Sequence, residues 1–426
     1  EMNELGIFAE NAHRWSPKEV LIVGDRYSGK AKKHQDLSLW GELEELHFEK
    51  ISNTTIGDEL TSFFPSIDES SSLRAVTLRA DDLVALLDRA HLPALREINV
   101  WILDTRQARE LAERPELEKI ETLRLAFRCK EERELNEIPY GPTLGTIIPA
   151  SDEAAEVFFA RARLSALRHL ELFGKSSEAY WERKGPGPRT IDALLRSEAL
   201  ASIRHLSLDH MPLGDAGLKN LLKALPDSLR SLELIDLFAK DETALALAES
   251  PVTPNLERLL LEGNLIGSKG FEALAAVSFT RLRELDISGP TCQPYYFRFS
   301  EQPVGDEGLA AWIGSSAMST LKALSMAGAR LTDKGLSALA DCEDLRLERL
   351  DFAHNQATAE GLKALVKSGL WTTLRELSFR DCLLDDAAIG ALTEVAYAPH
   401  LRKIDLSHNT IGAAGAKSLA AWSVLS

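Results

Sequence analysis

The chain has 426 residues, of which 65 are acidic and 49 are basic, so its formal net charge is −16 at pH 7. Binding to a nucleic-acid backbone or to an anionic membrane depends on clustered Lys and Arg, and this charge argues against both partners. A basic protein is a more favourable partner, although the same charge also simply keeps a long chain dispersed in water. The composition therefore favours protein partners over nucleic acids and membranes.

The cysteine spacing and the hydropathy exclude further classes of protein. The four cysteines lie far apart and form no Cys-x-x-Cys pair, so they indicate neither a disulfide framework nor a zinc site. We expect Cys342 and Cys382, which lie near apolar segments, to be buried thiols. No apolar run is long enough to span a membrane, and the first residues do not resemble a signal peptide. The sequence predicts a cytoplasmic protein without a cofactor.

Near the N-terminus, residues 20–31 come close to a phosphate-binding loop. An apolar strand is followed by a Gly-x4-Gly-Lys element that ends at Lys30. In such loops backbone N–H groups hold phosphates and a following Ser or Thr binds Mg²⁺, but here that position is Ala31. We therefore expect an edge strand and a basic turn inside an N-terminal cap of residues 1–42. A nucleotide-dependent enzyme that uses Lys30 is the alternative.

Residues 43–426 carry thirteen copies of one pattern: an apolar residue, two variable residues, an apolar residue, one variable residue and an apolar residue. The copies begin at Leu43, Leu73, Leu95, Ile120, Leu167, Ile203, Leu229, Leu256, Leu282, Leu321, Leu347, Leu374 and Leu401. Alternation along a strand places the three apolar residues on one face. A second group rich in Ala and Leu, such as Gly270-Phe-Glu-Ala-Leu274-Ala, follows with helical spacing. The sequence predicts an α/β solenoid of strand–loop–helix units.

The pattern resembles the leucine-rich repeat superfamily, and in particular its ribonuclease-inhibitor-like class, in which each repeat has a full helix. Segments such as Asn264-Leu-Ile-Gly-Ser-Lys-Gly270 and Asn409-Thr-Ile-Gly-Ala-Ala-Gly415 match the connection typical of this class. The resemblance implies a curved horseshoe with a parallel sheet on its concave face and helices on its convex face. It also implies a protein-binding role, as in enzyme inhibitors, GTPase activators and immune sensors. The family Asn is missing from most repeats, and Cys382 stands in its place in one of them.

Histidines near the middle of the chain suggest a second kind of site. His169 and His205 occupy the same position in consecutive copies, and Glu171 follows two residues after the first. Two histidines and a carboxylate are able to bind zinc or to act as acid and base. No fourth ligand or nucleophile follows at a defined spacing, so we expect solvated side chains on the sheet. A metal-dependent enzyme that uses this pair is the alternative.

An aromatic patch is the stronger indication of a binding site. Just after the strand core, the third to fifth copies carry Trp101, Ile102, Phe127 and Phe173, whereas most other copies have small or polar residues there. Large apolar residues on a polar face tend to mark binding sites, and Arg124 lies beside them. The alternative is that the long loop after Phe127 folds back over the patch.

Long insertions follow three of the strands. They lie near residues 128–163, 174–189 and 289–305. The first contains a predicted short helix with Ser151 as its N-cap. The other two supply the aromatic residues Trp181, Tyr295, Tyr296 and Phe297. Long loops on a rigid scaffold commonly carry function, although loops also absorb insertions at little cost.

The sequence therefore predicts a protein-interaction scaffold. Its partner would lie on the concave face and the loop rim between the third and ninth copies, where His205 joins the aromatic residues and Arg124 as a contact. No catalytic or metal-binding residue is expected. The family resemblance leaves open an inhibitor, a regulator or a sensor in signalling or defence, and also a GTPase activator. Because an open solenoid end exposes apolar surface, the chain is expected to be a monomer, an end-to-end dimer or one domain of a longer protein.

Overall fold

The computed structural model describes residues 19–23, 45–49, 72–127, 146–147, 149–176, 183–289, 304–394 and 398–422. The chain divides into two compact units. Unit 1 comprises Glu1–Lys175 and Arg183–Arg204, and unit 2 comprises Ser176–Glu182 and His205–Ser426. Each unit is described by itself.

Unit 1 contains a parallel sheet whose strands follow one another in chain order. Its strands are β1 (Glu19–Val23), β2 (Glu45–Glu49), β3 (Ala75–Arg79), β4 (Glu97–Ile102), β5 (Thr122–Phe127) and β7 (His169–Phe173). The strand β1 lies in the segment predicted to be a cap and pairs in parallel with β2. The short strands β6 (Thr146–Ile147) and β9 (Arg183–Gly185) of this unit pair in parallel, and the short strand β8 (Lys175–Ser176) begins at the last residue before the segment 176–182 of unit 2.

The helices of unit 1 follow the strands and pack against each other in sequence. They are α1 (Ala80–Arg89), α2 (Thr105–Ala112), α3 (Pro149–Phe159) and α4 (Pro188–Arg196). The helix α3 lies in the first predicted insertion but begins two residues before Ser151. Ser151 is therefore not the N-cap; it is fully buried, and its hydroxyl donates a hydrogen bond of 3.2 Å to the carbonyl oxygen of Phe127. This hydrogen bond joins α3 to the end of β5.

Unit 2 repeats the same plan more regularly. Its parallel strands are β10 (His205–Asp209), β11 (Ser231–Ile235), β12 (Arg258–Leu260), β13 (Glu284–Asp286), β14 (Ala323–Ser325), β15 (Arg349–Asp351), β16 (Glu376–Ser378) and β17 (Lys403–Asp405). Its helices are α5 (Gly214–Ala224), α6 (Asp241–Glu249), α7 (Ser268–Ala275), α8 (Gly305–Ile313), α9 (Asp333–Asp341), α10 (Ala359–Lys367), α11 (Asp386–Thr393) and α12 (Ala413–Ala421). Each of these helices packs against the helix of the next repeat.

The thirteen sequence copies coincide with strands of the fold. Each contains a described strand that begins two residues after the first residue of the copy. In the copies from Leu73 to Leu374, the three apolar positions are at most 7% exposed. Since neighbouring repeats share these side chains across parallel strands, the apolar core forms a continuous column within each unit.

In unit 2, one buried asparagine makes hydrogen bonds to the loops of two consecutive repeats. The Asn264 side chain, 4% exposed, accepts hydrogen bonds from the backbone N–H groups of Leu237 and Ala239, at 3.0 and 3.1 Å. Its amide also donates to the carbonyl oxygens of Leu234 and Leu261. Asn355 likewise accepts from the N–H of Leu331 and donates to Met326, and Asn409 accepts from the N–H groups of Cys382 and Leu384 and donates to Phe379. One asparagine therefore satisfies the backbone of its own repeat and of the preceding repeat.

This pairing explains how three repeats of unit 2 fold without the family Asn. The repeats that precede Asn264, Asn355 and Asn409 have Leu237, Ala329 and Cys382 at the equivalent position. Each of these loops contains a second residue with positive φ, namely Phe238 (59°), Arg330 (58°) and Leu383 (63°). Their turns need no asparagine of their own because the next repeat supplies one.

An aspartate near the start of one helix stabilises the start of the next. The Asp306 carboxylate in α8 accepts hydrogen bonds from the backbone N–H groups of Thr332 and Gly335, at 2.9 and 3.0 Å, where α9 begins. A Cβ on Gly335 would lie 2.6 Å from that carboxylate oxygen, so at this position a larger residue would force the carboxylate to shift. The same contact is made by Asp152, Asp215, Asp241 and Asp386. Each of these carboxylates accepts hydrogen bonds from the free backbone N–H groups at the start of the helix in the following repeat.

Candidate functional site

Three parallel rows of side chains cover the polar face of the sheet in unit 1. The strand register aligns Arg79, Trp101, Ala126 and Phe173 in one row. The next row contains Thr77, Asn99, Arg124 and Glu171, and the row after it contains Ala75, Glu97, Thr122 and His169. Adjacent strands are about 4.8 Å apart, so Trp101 and Phe173, two strands apart, lie about 9.6 Å apart along their row.

Trp101 and Phe173 are both half-buried, and Ala126 between them is 3% exposed. The row therefore presents two partly exposed aromatic rings on either side of a small side chain. Aromatic rings provide large contact area at a low cost in conformational entropy, so they are typical anchors of protein interfaces. This aromatic row, defined by Trp101, Ala126 and Phe173, is the most distinctive apolar feature of the face.

Ile102 and Phe127 do not share this surface. Ile102 is 0% exposed and Phe127 is 2% exposed, and the two residues are register partners one position beyond the aromatic row. Because side chains alternate along a strand, this position points to the helix side, where α3 packs on β5. The expectation of one patch built from all four apolar residues is thus corrected: these two side chains belong to the core.

Arg124 occupies the centre of the face and is already bound by carboxylates. Its guanidinium contacts Glu97 and donates from Nε to Glu171 at 2.9 Å, and the His169 imidazole also contacts Glu171. Burial opposes ionisation of Glu171, but the hydrogen bond with His169 and the charge of Arg124 outweigh it and lower the pKa of this carboxyl. Burial likewise opposes the charge on Arg124, yet the two glutamates raise its pKa. These contacts hold the side chains of Glu97, Arg124 and Glu171 in place on the sheet face beside the aromatic row.

His169 and His205 lie in different units, and each has a carboxylate nearby in its own unit. His205 Nε2 lies 3.6 Å from Glu233, which also contacts Arg258. The His169 partner, Glu171, is held by Arg124 as described above. Both glutamates therefore have competing cationic partners within reach.

The remaining predicted site residues lie outside the described part of the chain. They are Trp181, Tyr295, Tyr296, Phe297 and the phosphate-loop candidate Lys30. Of the two cysteines expected to be buried, Cys382 is fully buried, and Cys342 is half-buried. Burial raises the pKa of the Cys382 thiol to about 12, so this thiol stays protonated at neutral pH.

Two features of the structure were not predicted from the sequence. Glu97 was not recognised as a partner of Arg124, although the two occupy adjacent strands in neighbouring rows, which repeat alignment would have shown. The second is a groove of about 550 Å³ beside the C-terminal ends of α3 and α4. Several of its charged groups have internal partners: Arg163 pairs with Glu118 at 3.1 Å, and Glu198 accepts the backbone N–H of Leu164 at 2.7 Å.

Among the described residues, no helix has the length and apolar character that crossing a membrane requires. A family model described as a leucine-rich repeat matches residues 317–340, 347–366 and 397–420. Together with the strand–helix repeats of both units, these matches support a leucine-rich-repeat solenoid with an α/β fold.

Comparison with solved structures supports the same fold. A chain from the crystal structure of the yeast Rad7 and Elc1 complex aligns with a TM-score of 0.52 and 16% sequence identity, over 85% of this chain and 80% of that chain. At this identity the likeness establishes the fold and nothing about function. No curated protein sequence matches the chain.

Proposed function

We propose that this protein is a non-catalytic interaction scaffold of the ribonuclease-inhibitor-like class, and that it binds a protein partner on the polar sheet face of unit 1. The observation that carries the proposal is the aromatic row, in which half-buried Trp101 and Phe173 flank a small Ala126. The likeness to a chain from a protein complex, that of Rad7 and Elc1, is in keeping with such a role.

The surroundings of the aromatic row fit a preformed binding surface. The Glu97–Arg124–Glu171 network below it holds long side chains in place before any partner arrives. Fewer rotamers are then lost on binding, which reduces the entropic cost of association. Binding would come mainly from burial of the two rings, and the charged network would set the polar rim. Arg124, the other predicted contact in unit 1, stays part of this proposal, and His205, which lies in unit 2, stays a separate prediction.

The test is affinity capture from a lysate of the source organism with two immobilised variants. One carries Trp101→Ala and Phe173→Ala together. The other carries Leu383→Ala, which removes a large apolar side chain that is 66% exposed in unit 2. We expect a protein that is retained by the wild type and the Leu383 variant but lost from the double variant. Circular dichroism and thermal unfolding verify that both variants are folded. A partner retained equally by all three proteins would contradict the site.

A further inference from the structure

The aromatic row of unit 1 has a gap at its centre. Trp101 on β4 and Phe173 on β7 are both register neighbours of Ala126 on β5, whose small side chain is 3% exposed. The backbones of the two aromatic residues are about 9.6 Å apart, because one strand lies between them. A planar group makes its contacts at about 3.5–4.0 Å on each side, so this spacing has the width of one flat side chain between two rings. We call this gap the Ala126 slot.

Polar side chains lie directly beside the slot. Two residues earlier on the same three strands are Asn99, Arg124 and Glu171, about 6.6 Å away on the same face. Arg124 Nε donates to Glu171 Oε1 at 2.9 Å, and its guanidinium also contacts Oε1 of Glu97. The His169 imidazole contacts the same Oε1 atom of Glu171. Oε2 of each glutamate accepts no hydrogen bond from any described residue of unit 1, so both atoms can take a donor from a partner.

The charge beside the slot is negative. Two glutamates (−2) and one arginine (+1) give the network a formal charge of −1 when histidine is counted as neutral. Arg79, next to Trp101 in the register, adds no net charge because it pairs with Asp82 at 3.1 Å. The whole chain has a formal net charge of −16. The local and the overall charge therefore both attract a cation and repel an anion.

We propose that the Ala126 slot binds an arginine side chain of the partner protein, with the guanidinium between the Trp101 and Phe173 rings and its N–H groups bonded to Glu171. This inference rests on the proposed function and names the anchor that the surface takes. A guanidinium is planar, weakly hydrated and attracted to aromatic faces, and its fork of donors matches a carboxylate. A lysine supplies the charge without a flat group to stack, so arginine is the better occupant.

The first test selects peptides from a phage-displayed library of random linear sequences. The immobilised target is the wild-type chain, and an excess of the soluble Trp101→Ala, Phe173→Ala double variant removes peptides that bind elsewhere. We expect the remaining peptides to share an arginine. In a synthetic copy of the best peptide, replacing that arginine by lysine should weaken binding about threefold to tenfold, and replacing it by alanine should weaken binding at least about tenfold.

The second test uses the same peptide with variants of the slot. Glu171→Gln removes the charge and should weaken binding about tenfold, with a smaller dependence on salt. Ala126→Leu keeps both rings but fills the slot, and should weaken binding at least about tenfold. The matched control is Glu121→Gln, an exposed position just before β5, which should leave binding unchanged. Circular dichroism verifies the fold of each variant, and Glu171→Gln decides the test if Ala126→Leu does not fold.

The outcomes separate this inference from the function on which it rests. Ring-dependent peptides that share an aliphatic residue, a proline or an acidic residue instead of arginine overturn the inference and leave the binding surface of unit 1 in place. Binding that Glu171→Gln leaves unchanged does the same. A selection without any ring-dependent peptide also overturns the inference, and the affinity capture from a lysate then decides independently whether the surface binds a protein.

Discussion

The two units use the same repeat but place their polar side chains differently. In unit 2, buried asparagines and helix-start aspartates satisfy loop and helix backbones from one repeat to the next. In unit 1, Asp152 makes the helix-start contact, and Arg124 on the sheet face is bound to Glu97 and Glu171 beside the aromatic row. Unit 2 also has charged pairs on its sheet face, where Arg258 contacts Glu233 and Glu284, but among the described residues they have no aromatic row beside them. Polar contacts inside the loops maintain the repeat, whereas polar contacts on the face shape a surface. The comparison suggests that unit 2 is the more regular scaffold and that unit 1 carries the binding surface.

The largest expected effect is the removal of an asparagine that serves two repeats. Asn264→Ala leaves the buried N–H groups of Leu237 and Ala239 without their acceptor. We expect unit 2 to lose about 3–5 kcal/mol, because two buried donors stay unsatisfied. Native-state hydrogen exchange measures this for each unit separately. Protection in residues 97–127 of unit 1 is the internal control, and Asn99→Ala on the sheet face should change either unit by less than about 0.5 kcal/mol. An Asn264 variant with unchanged exchange in unit 2 would refute the paired-loop account.

A pair of glycine substitutions tests the aspartate contact between helices. Gly335→Ala places a Cβ against the Asp306 carboxylate and should destabilise unit 2 by about 1–3 kcal/mol. Gly390→Ala, inside α11 with no atom within 4 Å of the new Cβ, should instead stabilise it by about 0.5–1 kcal/mol. Urea unfolding of the two variants gives both values. Equal effects would mean that the close approach to Asp306 does not limit the helix start.

A smaller effect, with a defined pH dependence, is expected in unit 1. The folded pKa of Glu171 is lowered, so its ionised form contributes stability that is fully present above the unfolded value near 4.5 and is lost as the pH falls through the folded pKa. Glu171→Gln should therefore cost about 1–2 kcal/mol at pH 7, and the difference from wild type should shrink as the pH falls below the unfolded value near 4.5. Denaturant unfolding of unit 1 at several pH values measures it. The exposed Glu121→Gln is the control, and a cost that is independent of pH would contradict the network.

The sequence was sufficient for the architecture because the apolar period is repeated thirteen times, and each copy has a strand at its expected place. The asparagine sharing could not be derived, because a missing family residue in one repeat is supplied by the next repeat through contacts about 25 residues away. The surface was predicted only in part. Trp101 and Phe173 were expected on the face and lie there, but Ile102 and Phe127 are buried, because one step along a strand reverses the side chain. The prediction of Ser151 as an N-cap was wrong because α3 begins two residues earlier, at Pro149.

The most direct test of the scaffold account is hydrogen–deuterium exchange of the chain with and without the captured partner. The account predicts new protection in β4, β5 and β7, the strands that carry the aromatic row, with little change in helices α1–α4. Protection confined to the helices, or to unit 2 alone, would contradict the assignment of the binding surface to the sheet face of unit 1.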